Sequence, residues 1–143
     1  MKTLDSHKDW VTCLYLPQEG NKVISASLDG SISIWHVLGW RCLNVLQGDQ
    51  GPVKKILISQ DSSKIFSLTQ SPCIYIWDTA SGKLSAKWEG HKEPISDIAL
   101  SPDGQLLASS GRDQAIILWD IASSKETQSY FQKNAHFEKV LFS

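Results

Sequence analysis

The 143-residue chain lacks the features that mark exported, membrane-spanning or metal-binding proteins. No stretch approaches the ~18 consecutive apolar residues that a membrane helix requires, and the opening MKTLDSHKDW has no apolar run of the signal-peptide kind. Its three cysteines, Cys13, Cys42 and Cys73, follow neither CxxC nor Cys/His metal spacing. We therefore expect reduced thiols, no bound metal, no membrane partner and a cytoplasmic or nuclear location.

Strong charge and helical periodicity are also missing. The 14 Lys and Arg nearly balance the 15 Asp and Glu, and no run of five or six basic residues occurs, so we expect no nucleic-acid partner. No ten-residue stretch sustains a 3.6-residue apolar period, which predicts almost no helix. The hydrophobic content of 41% is ordinary for a globular chain, and this length fits one domain with a core.

What the chain does contain is an internal repeat. The runs SISIW, CIYIW and IILW end at Trp35, Trp77 and Trp119, which are spaced 42 residues apart. The third unit divides into four predicted strands at 95–100, 105–110, 115–120 and 126–131, separated by turn sequences such as SPDG and GRDQ. A period of 40–45 residues with four strands per unit predicts the blades of a β-propeller.

The motifs within the units carry a resemblance to a known family. The third unit has GH at Gly90-His91, SPDG at 101–104, LLASSGRD at 106–113 and LWD at 118–120, while the first has SH, VISASLDG and IW. Over nearly its whole length the chain resembles the WD-repeat β-propeller family. The resemblance implies an all-β fold, a partial propeller of four-stranded antiparallel blades with a 42-residue period, arranged in an incomplete ring.

The repeat also predicts the organisation of residues 1–143 as a single WD-repeat domain. Three full repeats fall below the 4–8 blades of a closed ring, so exposed blade edges favour self-association. A fragment of a longer protein, a short isoform and a ring shared by two chains all remain open. The predicted boundaries are 1–4 for the end of a preceding blade, 5–46, 47–88 and 89–130 for the repeats, and 131–143 for the start of a fourth, whose first strand is FEKVLFS.

Two of the units carry Ser, His and Asp together, which are the residue types of a hydrolase triad. The resemblance implies a structural tetrad instead, a buried hydrogen-bonded chain from the Asp through His and Ser to the Trp indole. Because the set recurs with a Trp at a fixed period and without an oxyanion-type glycine motif, we expect no enzyme and no cofactor. In the second unit Asp49 and Ser71 replace the His and the Asp. The members are His7, Ser25, Asp29 and Trp35 in the first unit, and His91, Ser109, Asp113 and Trp119 in the third.

The resemblance also implies a partner-binding top face, formed by two residues at the start of each first strand and the residue before the tetrad Asp. Trp10 and Arg112 stand out because Trp and Arg dominate interface hot spots. Alternatively, Trp10 folds back on its own blade and Arg112 is a solvated turn residue. His136 and Glu138 begin the equivalent set of the next unit. The candidates are Trp10, Thr12, Leu28, Pro52, Lys54, Gln70, Pro94, Ser96 and Arg112.

Three other residues depart from the repeat or extend it. Trp88 aligns with Leu46, which predicts a core position between blades. His36 replaces the Asp of the Trp-Asp pair and is predicted to be a solvated turn residue just past its strand. Trp40 lies near the turn between the third and fourth strands, and its orientation is open.

Together these observations favour a non-enzymatic scaffold that binds proteins or peptides. A regulatory or sensor array that controls an attached ATPase or ubiquitin ligase is the alternative, and a Ser-His-Asp hydrolase is a third hypothesis. The first two stay open, because the domain that distinguishes them would lie outside these residues.

Overall fold

The computed structural model describes residues 5–17, 20–48 and 51–142, and these form three four-stranded antiparallel sheets. In each sheet the four strands pair in chain order, and no helix occurs in the described ranges. The first sheet contains β1 (Val11–Tyr15), β2 (Lys22–Ser27), β3 (Ser31–His36) and β4 (Arg41–Gln47). The second contains β5 (Lys55–Ile58), β6 (Lys64–Leu68), β7 (Cys73–Asp78) and β8 (Leu84–Glu89). The third contains β9 (Ile95–Leu100), β10 (Leu106–Gly111), β11 (Ala115–Asp120) and β12 (Lys125–Phe131). The predicted all-β fold with four strands per unit is confirmed.

Two apolar layers hold the sheets together, one between the first and second sheets and one between the second and third. Because both faces of the second sheet are covered, β6 and β7 are almost continuously buried, which explains their long apolar runs. Trp88 lies in the second layer, where its ring stacks on Trp119 at 5.4 Å and contacts Phe66 at 5.6 Å between ring centroids. The predicted core position of Trp88 is confirmed.

The repeat extends to the irregular parts of the backbone. Each third strand ends in a pairing irregularity just before its tryptophan, at Trp35, Trp77 and Trp119. The same position of the following turn has a positive φ in all three units, at Trp40 (47°), Gly82 (69°) and Ser124 (56°). Equal spacing therefore reproduces turn geometry even where the residue types differ.

The segment after β12 departs from the prediction. FEKVLFS was predicted to be the first strand of a fourth unit, but no strand occurs over residues 132–142. In the three sheets a first strand pairs only with the second strand of its own unit, and the described residues after β12 include no such partner. This segment instead contacts β9, where the Val140 N–H donates to Asp97 Oδ2 at 3.1 Å.

Smaller corrections concern strand ends and residues outside the description. The strand predicted at 105–110 begins one residue later, at Leu106, and His36 is the last residue of β3 rather than a residue past it. Residues 1–4, predicted to end a preceding blade, lie outside the described residues, as does Asp49. Where the structure is described, it contains no helix long and apolar enough to cross a membrane.

Candidate functional site

In the third sheet the four predicted tetrad residues form one hydrogen-bonded chain. The Trp119 indole N–H donates to Ser109 Oγ at 2.8 Å, and Ser109 Oγ lies 2.8 Å from His91 Nε2. The other ring nitrogen, His91 Nδ1, lies 2.9 Å from Asp113 Oδ1. Because an indole can only donate, we assign the serine hydroxyl as donor to Nε2 and Nδ1–H as donor to the carboxylate.

Asp113 also fastens the turn between β10 and β11 to the segment before β9. Its carboxylate accepts the backbone N–H groups of Lys92 at 2.8 Å and Ala115 at 3.3 Å. Burial raises the pKa of Asp113, but the hydrogen bonds from Lys92 and His91 outweigh it and leave the pKa below its usual value. The group that closes the turn is therefore a carboxylate at neutral pH.

The first sheet contains the same chain with one additional member. His7 Nε2 lies 2.6 Å from Ser25 Oγ, which accepts the Trp35 indole N–H at 3.0 Å. His7 Nδ1, however, is 3.8 Å from Asp29 Oδ2. Ser31 fills this gap, because its Oγ lies 2.8 Å from His7 Nδ1 and donates to Asp29 Oδ1 at 2.6 Å.

Ser31 lies outside the set that the repeat predicts, since Cys73 and Ala115 occupy its position in the other units. The only sequence signal is a hydroxyl residue two positions after the tetrad Asp. Burial raises the pKa of Asp29, but hydrogen bonds from the Ser31 hydroxyl and the Lys8 backbone overcome this and lower the pKa to about 2. The first sheet therefore reaches the same closed turn through a bridging hydroxyl.

The second sheet keeps only the serine and tryptophan members of the set. The Trp77 indole N–H donates to Ser67 Oγ at 2.9 Å. Ser71, at the Asp position, accepts the Cys73 backbone N–H through its Oγ at 3.2 Å. A serine hydroxyl thus takes over one of the backbone contacts that a carboxylate makes in the other sheets.

The hydrogen-bonded network of the third sheet is buried. Ser109 has 0% of its surface exposed, and the His91 side chain is also fully buried. Ser109 Oγ is therefore shielded from solvent and is hydrogen-bonded to both its tryptophan and its histidine. In the described part of the chain no group of three or more His, Cys, Asp or Glu side chains could hold a metal ion.

Some of the predicted top-face residues line a cleft on the surface between the second and third sheets. This cleft has a volume of about 480 Å³. Of the predicted top-face residues it brings together Lys54, Pro94, Ser96 and Arg112, joined by His136 and Glu138 from the segment that follows β12. Arg112 is positioned by its backbone N–H, which donates to the Pro94 carbonyl at 3.0 Å.

The remaining top-face candidates lie apart from this cleft. Trp10 is 80% exposed, and its carbonyl accepts the Leu28 N–H at 2.9 Å. Pro52 and Gln70 are exposed but do not line the cleft. Thr12 is engaged within the molecule, because its hydroxyl donates to the Val53 carbonyl at 2.7 Å and so links the first and second sheets.

An inter-sheet ion pair lies beside these positions and was not expected from the sequence. Lys55 Nζ on β5 donates to Asp97 Oδ1 on β9 at 2.5 Å and to the Ile98 carbonyl at 3.0 Å. The two residues occupy the same position of successive units, 42 residues apart. The repeat aligns them with Cys13, an uncharged residue, so spacing alone gave no sign that they would pair.

Comparison with known proteins agrees with the fold and the repeat. A family model described as "WD domain, G-beta repeat" matches residues 1–36 and 82–120, which together make up just over half of the chain. The chain belongs to the WD40 repeat family. The hydrogen-bonded sets of the first and third sheets lie entirely within the two matched ranges.

Individual relatives of the WD40 chain are longer proteins. An F-box protein from Saccharomyces cerevisiae is 36% identical over 55 residues, which are 38% of this chain and 9% of the relative. The solved structures of U3-55K and of the RRP9 WD40 repeats each show 26% identity and a TM-score of 0.83, over 93% of this chain and 42% of theirs. The chain thus spans less than half of each of these proteins.

Proposed function

We propose that this WD40 repeat chain is a non-enzymatic scaffold that binds a partner protein or peptide through its top face. The observation that supports the proposal most is the cleft between the second and third sheets, which gathers four of the nine candidate residues. Arg112 and Lys54 are both exposed there and can bind carboxylates or backbone carbonyls of a partner. Trp10, which directly precedes β1 and is highly exposed, offers a separate aromatic contact.

A binding experiment tests this assignment. The chain is used as bait in a quantitative affinity purification, and Trp10→Ala and Arg112→Ala variants are compared with the wild type. Lys125→Ala, on the exposed strand β12, serves as the matched control because it also removes a surface side chain. We expect at least one partner to be lost from the top-face variants and retained by the control. Identical partner sets for all baits would contradict the proposal.

The proposed lack of catalysis has its own test. WD40 neighbours are generally non-enzymatic, and the buried serine of the third sheet is saturated with hydrogen bonds. We expect a fluorophosphonate probe to leave Ser25 and Ser109 unlabelled, as read by peptide mass spectrometry. Labelling of either serine in the folded chain would favour the hydrolase hypothesis instead.

The alternative is a regulatory or sensor array that controls an attached ATPase or ubiquitin ligase. The similarity to an F-box protein favours the ubiquitin ligase form of this alternative. Co-purification of ubiquitin ligase subunits with the chain, retained in both the Trp10→Ala and Arg112→Ala variants, would support it over a scaffold that recruits its partner through the top face.

A further inference from the structure

One end of the first sheet, where β3 turns into β4, differs in charge from the equivalent ends of the other sheets. Lys22, His36 and Arg41 lie side by side in one row across β2, β3 and β4. The corresponding rows contain Asp78 in the second sheet and Asp120 in the third. The row in the first sheet therefore has two basic side chains and no carboxylate between them.

The presence of His36 in place of an aspartate also reverses the direction of the side-chain hydrogen bond that closes the turn. Asp78 Oδ1 accepts the Ser81 N–H at 2.7 Å, and Asp120 Oδ1 accepts the Ser123 N–H at 2.6 Å. His36 Nδ1 instead lies 2.8 Å from the Leu38 carbonyl, to which it donates. The first sheet closes this turn without an anion, so the charges of Lys22 and Arg41 are left uncompensated within their row.

Large exposed apolar side chains lie next to His36 and Arg41 in the chain. Leu38, Trp40 and Leu43 are exposed by 76%, 43% and 42%. The equivalent positions are small or polar in the other sheets: Ala80, Gly82 and Ser85 in the second, and Ala122, Ser124 and Thr127 in the third. Trp40 also has a φ of 47°, a conformation that is costly for a large side chain.

The exposure of Leu38 and Leu43 does not result from a missing neighbouring sheet. The second sheet is covered on both faces, yet Ala80 and Ser85 at its equivalent end are still exposed. A further sheet packed on the first would leave the corresponding residues, Leu38 and Leu43, open to a partner in the same way.

We propose that this end of the first sheet is a second interaction surface that binds a segment of another protein in which carboxylates stand beside large apolar side chains. Charge complementarity selects the acidic groups, because the row offers Lys22 and Arg41 without a counter-charge. Trp40 and Arg41 are the residue types that contribute most at interfaces, and Leu38 adds apolar area beside them. We call this surface the first-sheet end patch; its members are Lys22, His36, Leu38, Trp40, Arg41 and Leu43.

The test uses three labelled peptides and fluorescence anisotropy. One peptide alternates Glu with Leu, the second replaces Glu by Lys, and the third replaces Leu by Ser. We expect saturable binding of the Glu-Leu peptide alone.

The variant His36→Asp/Leu38→Ala/Trp40→Ser introduces the residues that the third sheet has at the same positions, where its own turn accommodates them. It should weaken binding by about tenfold or more, while the matched control Lys125→Ala/Thr127→Ala should not.

Thermal unfolding confirms that each variant is folded, and Lys22→Ala/Arg41→Ala provides an independent variant with the turn intact. No saturable binding of the Glu-Leu peptide, equal binding of the Lys-Leu peptide, or unchanged affinity in both patch variants would overturn the proposal. Equal binding of the Glu-Ser peptide would also overturn it, because it would reduce the surface to an anion site without apolar selectivity. Because these variants leave Trp10 and Arg112 in place, failure here is distinguishable from failure of the top-face proposal.

Discussion

At the scale of single residues, the buried His, Ser and Trp side chains of the tetrads in the first and third sheets all have hydrogen-bond partners. Ser109 accepts from Trp119 and donates to His91, and the histidine then contacts Asp113. Leaving one such buried group without its partner costs about 1–3 kcal/mol. These residues therefore contribute to stability as a set, in contrast to Trp10 and Arg112, whose side chains are exposed.

Asp29 makes this contribution dependent on pH. Its pKa is lowered to about 2 in the folded chain, so the folded state stabilises the charged form. That stability is present above the pKa of the unfolded chain, about 4, and is lost as pH falls towards 2. The wild type should exceed Asp29→Asn in unfolding free energy at about pH 7, with the difference shrinking between about pH 4 and pH 2. Urea unfolding across this range measures it, and a difference that does not change with pH would contradict the assignment.

At the scale of strands and turns, equivalent positions of the three units adopt the same backbone conformation. The free-energy cost of that conformation differs, because some of these positions are glycine and others carry a side chain. The turn between the first and second strands has a positive φ at Gly20 (65°), Ser62 (57°) and Gly104 (68°). Only Ser62 carries a side chain, which this conformation disfavours. Ser62→Gly should therefore stabilise the chain by up to about 1 kcal/mol, as measured by the midpoint of thermal unfolding. The reverse change, Gly104→Ser, should destabilise it, and the opposite signs would disprove a common turn geometry.

The ion pair between β5 and β9 links two sheets. The Asp97 side chain is largely buried, whereas Lys55 is partly exposed. Lys55→Met removes the cation and should cost about 1–3 kcal/mol, because it leaves a carboxylate that is poorly solvated. The double variant Lys55→Met/Asp97→Leu should recover part of this loss in chemical denaturation. A double variant that loses the sum of the two single effects would show that the side chains do not act as a pair.

Spacing in the sequence predicts the strands well, because alternation and turn residues are local signals. The Trp35, Trp77 and Trp119 strands occupy identical positions of their units for this reason. Contacts between units are not local, so neither the Lys55–Asp97 pair nor the Ser31 bridge could be predicted from spacing. The segment after β12 shows the same limit: its residues have strand character, but a strand also needs a partner.

At the scale of the whole molecule, the outer face of the first sheet is the main apolar surface left open among the described residues. Leu14 is 64% exposed, whereas its equivalents Ile56 and Ile98 are 4% and 0% exposed between sheets. Val11 shows the same contrast with Val53 and Ile95, and Leu16 shows it with Ile58. An uncovered face of this kind favours association with another apolar surface.

We therefore expect the isolated chain to self-associate as its concentration rises. Leu14→Glu/Leu16→Glu should shift it towards the monomer, because burying two added carboxylates opposes contact. Sedimentation velocity of both proteins over a concentration series tests this, with Lys125→Ala/Thr127→Ala as a surface control. A wild type that stays monomeric throughout, or a variant that associates equally, would contradict it.

The central claim is that the repeated His, Ser, Asp and Trp sets hold the sheets in shape as coupled units. The most direct measurement is a double-mutant cycle on the unfolding free energy of the whole chain, with His91→Ala, Asp113→Ala and the double variant. Both side chains belong to one network, so the account predicts that the double variant loses less than the sum of the singles, by about 0.5–3 kcal/mol. Losses that simply add would show that the two residues act independently and would contradict the claim.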